Sequence, residues 1–276
     1  MKVGLVICGP DVAYGPLALL SGTFEEKVQK ARVLGYDGVE LMVRDPAELD
    51  WPHLRHTLER TDLEVPQIVT GELFGADGLC LVTPDEDLHQ RALLRTQSVI
   101  DLAAYLDHAI VNVGRLRGRL DWLVGYTEDP WSFAVERIAE ITAYAAARNV
   151  PIALEPINRY ETDFIANVDD GMRMIAAVGA ANLGLMLDVF HMNIEDVSIE
   201  DSLKRAGQRC LHVHIADSNR RYPGAGHLDF VSIFAALRNM GYLGYISAEL
   251  FPWPDPDTAA AKTIAYIRTV TQESGQ

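Results

Sequence analysis

The sequence predicts an α/β protein built as a single (β/α)8 TIM barrel, and three observations carry that prediction. Eight short β-rich runs recur along the 276 residues, and segments with a helical hydrophobic period separate them. The runs are almost continuously apolar, as parallel strands covered by helices are. The main competitor, a doubly wound open sheet, normally has a glycine-rich first turn. The stretch CGPDVAYG after the first run is not GxGxxG, and no GxxxxGK[ST] occurs anywhere.

In chain order the predicted strands are VGLVIC (3–8), GVELMV (38–43), VPQIVTG (65–71), AIVNVG (109–114), IALE (152–155), LGLMLD (183–188), LHVHIAD (211–217) and YISAEL (245–250). The clearest helical segments are 88–106 and 133–148. Ser21 and Thr23 signal a helix start before 24–34, and Asp129-Pro130 does so before 133–148. PWPDP (252–256) reads as the loop into a last helix. No linker or low-complexity tract interrupts the pattern, so residues 1–276 are expected to form one catalytic domain.

Composition narrows the function. A net charge of −15 opposes a nucleic-acid or anionic-membrane surface, since both need clustered Lys and Arg. It leaves room for an anionic small molecule held by a local arginine cluster. The three scattered cysteines, Cys8, Cys80 and Cys210, imply neither a disulfide framework nor a CxxC metal site. The apolar run behind Lys2 is too short for a signal peptide, and no run has the length of a membrane span. A cytoplasmic protein is the expectation.

The chemistry gathers at the strand ends. Glu155, Asp188, His214 and Glu249 close the fifth to eighth predicted strands, which are neighbours in a barrel, on the face where barrel enzymes keep their active sites. Three converging carboxylates raise one another's pKa unless a cation joins them. Oxygen and nitrogen donors without thiolate favour manganese, with cobalt or magnesium as alternatives and zinc left open. Ala153 and Ser247, two residues before the glutamates, leave space beneath the site. His212 shares the face of His214 and is expected behind it rather than on the metal. Glu40 belongs to the same face, either in that outer shell or paired with a nearby Arg or Lys. His191, in DVFHMN, stands one turn beyond Asp188 and can reach a substrate hydroxyl. Glu161 and the polar loop ADSNRRYPGAGHLDF (216–230) belong to the rim. Arg115, Arg117 and Arg119 follow the fourth strand, where they either bind a substrate carboxylate or pair with surface acids.

The motifs LEPINRYETDF, LMLDVFHMN, HVHIADSNRRYPGAGH and SAEL, in this order and spacing, resemble the xylose-isomerase-like sugar isomerases and epimerases, more narrowly the ketose 3-epimerases. VRDP (43–46), ADGL (76–79) and the arginine-rich loop resemble the 5-keto-L-gluconate epimerase branch. The resemblance covers nearly the whole chain. It implies a metal on Glu155, Asp188, His214 and Glu249, with the two glutamates doubling as acid and base. It implies that Glu161, His191 and Arg220 contact substrate oxygens, and that the protein is a dimer or tetramer. The expected reaction is inversion at C3 of a ketose or keto-sugar acid: one glutamate removes the C3 proton to give a cis-enediolate, and the other returns a proton to the opposite face. The rivals are an aldose–ketose isomerase such as hydroxypyruvate isomerase, an inosose isomerase or dehydratase, and a non-catalytic sugar-binding barrel. An endonuclease IV-type DNA-repair phosphodiesterase would need more histidines and a basic surface.

Overall fold

The computed structural model describes residues 1–273 and is a closed barrel of eight parallel strands in sequence order. The strands are β1 (Lys2–Cys8), β2 (Gly38–Met42), β3 (Gln67–Val69), β4 (Ile110–Val113), β5 (Ile152–Leu154), β6 (Leu183–Asp188), β7 (Cys210–Ile215) and β8 (Tyr245–Ala248). Each predicted run coincides with one strand, β1 and β7 beginning one residue earlier than expected. The third is much shorter than expected: Pro66 supplies no amide donor, and the chain turns into a helix at Gly71. Among the described residues there are ten α-helices, in order α1 (Phe24–Leu34), α2 (Trp51–Glu59), α3 (Gly71–Gly75), α4 (Glu86–Tyr105), α5 (Pro130–Ala146), α6 (Val168–Val178), α7 (Val189–Glu195), α8 (Ile199–Ala206), α9 (Phe230–Asn239) and α10 (Pro256–Glu273). Among the described residues none is long and apolar enough to cross a membrane.

Local chemistry sets where the helices begin. Thr23 caps α1 in a reciprocal capping box with Glu26, and Gly35 ends that helix at a φ of 87°. Asp85, Asp129, Asn167, Ser198 and Asp229 cap α4, α5, α6, α8 and α9 with their side chains.

Two cores result. The large one fills the space between strands and helices and includes Leu5, Ile7, Leu41, Val111, Leu154, Leu185 and Val213. A smaller one, Val6, Cys8, Val12, Ala18, Met42 and Val69, belongs to β1–β3 and the loop after β1. On the other strands, Asn112, Asp188, His212, His214 and Ser247 are buried polar residues. The mouth ends of β1–β3 thus carry the apolar Cys8, Met42 and Val69, and the buried polar residues of β2 and β3, Glu40 and Gln67, stand two residues earlier on their strands. The β6–β7 register pairs Asp188 with His214, and β7–β8 pairs His214 with Ser247, so the ligand candidates stand side by side.

Candidate active site

The four strand-end residues meet. One donor atom from each of Glu155, Asp188, His214 and Glu249 lies within 4.8 Å of the others, and all four side chains are buried or nearly so. Asp188 ends β6 and also caps α7, with one oxygen accepting from the Phe190 amide at 2.8 Å. Its other oxygen stays with the cluster. Gly114, at the end of β4, leaves room for Glu155: a Cβ there would come within 2.5 Å of the carboxylate. Asn112 donates to the same oxygen at 3.2 Å.

Behind the quartet sits a buried polar layer. Glu40 accepts from His214 Nε2 at 2.8 Å and from Gln67 Nε2 at 2.9 Å, and its other oxygen meets His212 Nε2 in a short hydrogen bond. Glu40 is thus paired with histidines rather than with an Arg or Lys. Because Nε2 of His214 is engaged there, Nδ1 points at the carboxylates, buried and without a hydrogen-bond partner.

The electrostatics describe a centre that attracts a cation. Burial and the neighbouring Glu249 push the Glu155 carboxyl up to about 8, and burial pushes Asp188 up to about 6. Burial acts on Glu249 in the same direction, but His214 and Arg220 outweigh it and hold that group down at about 2. Burial disfavours the imidazolium of His214, yet Glu40 and Glu249 raise its pKa well above the usual range. An aimed, unpartnered imidazole nitrogen and three close carboxylates fit a divalent ion with oxygen and nitrogen ligands.

The quartet opens into a cleft of 230 Å³, sized for a small metabolite. Pro16, Leu17, Met42, Val69, Ile157 and Phe251 line it with apolar surface, and Glu161, His191, Arg220, Arg115, Glu72 and Asn112 add polar groups. Arg220 has a left-handed backbone (φ 57°). It reaches Glu249 at 2.6 Å and Asp188 at 3.3 Å, stacked over Phe190. Asn158 donates to Nδ1 of His191 at 2.7 Å, which leaves Nε2 as the N–H. Burial, then Arg220, holds the His191 pKa well below its usual value, so the ring is neutral. His191 Nε2 and Arg220 Nη1 are then two donors facing each other at 3.2 Å, a geometry that a ligand oxygen resolves.

The three arginines after β4 part company. Arg115 lines the cleft. Arg119 is a surface residue paired with Asp121 at 2.7 Å. Arg117 departs from the expected contact with substrate: it is fully buried and bonds four carbonyls, those of Gly114, Glu155, Phe164 and Ile165, at 2.9–3.2 Å. The chain folds there as a one-turn 3₁₀ helix, Arg115–Arg117, which turns one arginine outward and the other inward. Glu72, Asn112 and Asn158 went unread in the sequence. Asn112 had a signal, a lone polar residue at the inward parity of an apolar strand.

Comparisons of sequence and fold identify the family. Residues 28–270 match the family described as xylose isomerase-like TIM barrel, and the chain belongs to that family. It is similar to the L-ribulose 3-epimerase of Mesorhizobium japonicum, 29% identical over 250 residues, which cover 89% of this chain and 82% of that protein. It also matches the 3-dehydro-D-guloside 4-epimerase of Escherichia coli, 36% identical over 126 residues, 45% of this chain and 48% of the relative. Among solved structures, a D-psicose 3-epimerase crystallised in the presence of D-fructose superimposes with a TM-score of 0.81 at 25% identity, covering 98% of this chain and 99% of the other. Like these curated relatives, the protein is an enzyme of the isomerase class.

Proposed function

We propose that the protein is a divalent-metal-dependent epimerase, acting as one catalytic domain, that inverts C3 of a ketose or keto-sugar acid. The observation that carries this reading is the pair Glu155 and Glu249, both lining one metabolite-sized cleft and flanking Asp188 and His214. Epimerisation beside a carbonyl needs two bases, one to remove the proton and one to return it on the other face. Glu155, Asp188, His214 and Glu249 would hold the ion, whose chemistry when bound is Lewis-acid polarisation of the ketone.

The protein's own groups do the rest. One glutamate takes the C3 proton, and a cis-enediolate results. The other glutamate delivers a proton to the opposite face, and the roles reverse in the reverse reaction. Each transfer contributes about 10²- to 10⁴-fold. Arg220 and the Nε2–H of His191 donate to charge developing on the substrate oxygens. Glu161, hydrogen-bonded to Asn158 at 3.2 Å, accepts from a sugar hydroxyl at the rim. The apolar side of the cleft, Met42, Val69 and Phe251 among it, limits water around the reacting carbons.

Proton NMR in D₂O tests this with manganese-loaded enzyme and candidate ketoses and keto-sugar acids. Deuterium at C3 with a new epimer, abolished by a chelator, is the expected result. Deuterium at C1 or C2 with an aldose product would make the enzyme an aldose–ketose isomerase. Exchange at C4 of a 3-keto sugar would move the reaction one carbon along.

A further inference from the structure

We propose that the β3–β4 side of the cleft is a carboxylate subsite in which Arg115 anchors the terminal carboxylate of a keto-sugar acid and Glu72 accepts from the adjacent hydroxyl. This rests on the epimerase reading and names its substrate class.

In a chain of net charge −15, arginines near the mouth find acids: Arg44 pairs with Asp77 at 2.6 Å, Arg95 with Asp45 at 2.7 Å and Arg119 with Asp121 at 2.7 Å. Arg220 is held by Glu249 and Asp188, and Arg117 by carbonyls. Among the described residues, the Arg115 guanidinium has neither a carboxylate within 4.0 Å nor a hydrogen bond, although it lines the cleft. A guanidinium left free there is available to a ligand.

Its orientation is nevertheless built. The guanidinium lies 5.5 Å over the Phe74 ring, and Phe74 stacks on Trp122 with centroids 6.5 Å apart and planes 14° from parallel. A cation–π contact at 5.5 Å holds the group beside the ring, and a guanidinium can match a carboxylate bidentately through its N–H edge. A lysine offers neither the stack nor the fork.

Glu72 completes the subsite. It lines the cleft from α3, and its carboxylate has no hydrogen bond among the described residues. A Cβ placed on Gly75 would lie 3.7 Å from Arg115 Nη2 and 4.0 Å from a Glu72 oxygen, so the two heads stand on either side of one position beside α3. The heads do not close on each other as an ion pair. A polar ligand group that is an acceptor on one side and a donor on the other fits between them, as a carboxylate with a neighbouring hydroxyl does. A second negative charge would be opposed by Glu72, which separates a sugar acid from a sugar phosphate.

The test uses the manganese-loaded enzyme, its Arg115→Met and Arg115→Lys variants, and two substrates of one configuration, a neutral ketohexose and the keto acid ending in carboxylate. The measured quantity is the ratio of kcat/KM for the acid to that for the neutral sugar. Arg115→Met is expected to lower that ratio by about thirtyfold, chiefly through KM, and Arg115→Lys to recover part of it. A ratio that stays within about threefold of wild type in Arg115→Met overturns the proposal. Calorimetric binding of gluconate against glucitol keeps the two readings apart. If no substrate exchanges at C3, the epimerase reading fails, yet preferential gluconate binding lost in Arg115→Met still upholds the subsite. Equal binding of the two by wild type refutes it.

Discussion

The buried guanidinium of Arg117 donates from Nη1 to the main-chain carbonyl of Glu155 at 2.9 Å, while its Nη2 holds the carbonyls of Phe164 and Ile165. One side chain thus ties the end of β5, which carries a proposed base, to the loop that carries Glu161. Burial drags the Arg117 pKa down to about 10, still far above neutrality, so the group remains a charged donor. Arg117→Met leaves four carbonyls without that donor. Unmade buried hydrogen bonds of this kind cost about 1–3 kcal/mol each, partly recovered by relaxation. We expect a net loss of about 4 kcal/mol, read calorimetrically as a melting temperature lower by roughly 10 °C.

Glu40 acts on the metal through His214. Its carboxylate accepts from Nε2 and so presents Nδ1 to the ion. Glu40→Gln removes the charge and can present its amide N–H₂ to the ring instead, which misorients the imidazole. Manganese affinity is expected to fall about 10- to 100-fold by titration, with the barrel intact by circular dichroism.

Metal and fold are linked. Without a cation, Glu155 and Asp188 are buried acids whose ionised forms are disfavoured. An ion that binds only the folded protein stabilises it by about 2.7 kcal/mol at a concentration one hundred times its Kd. Manganese should therefore raise the melting temperature by roughly 5–10 °C, a chelator should reverse the rise, and His214→Ala should lose it.

Asn158 fixes the tautomer of His191, donating to Nδ1 at 2.7 Å while its own oxygen accepts from the Tyr160 amide at 3.0 Å. Asn158→Ala frees the ring to flip or change tautomer. A fall in kcat of about tenfold is expected, with manganese affinity unchanged, because neither residue belongs to the quartet.

The legible parts of the sequence were those where one residue type departs from a strong local pattern. Glu155, Asp188, His214 and Glu249 each interrupt an apolar strand at its carboxyl end, and barrel connectivity makes such ends neighbours. The eight runs were readable because buried parallel strands are apolar on both faces. The arginine loop was not, because a one-turn 3₁₀ helix has no periodicity from which to say which side chain turns inward. Glu72 was hidden for a related reason: α3 is five residues long and begins where a longer strand was expected. The partner of Glu40 is set by contacts across the barrel, from β2 to β3 and β7, which no local pattern reports.

Glu155 and Glu249 are proposed as separate bases for the two faces of C3. This is tested most directly by following C3 hydrogen exchange in D₂O from each pure epimer with Glu155→Gln and Glu249→Gln, manganese occupancy being measured alongside. Neither variant is expected to interconvert the epimers. Each should still exchange the C3 proton of one epimer without inverting it, and the two variants should retain opposite epimers. Interconversion at near the wild-type rate by either variant, or exchange of both epimers by the same variant, would contradict that assignment.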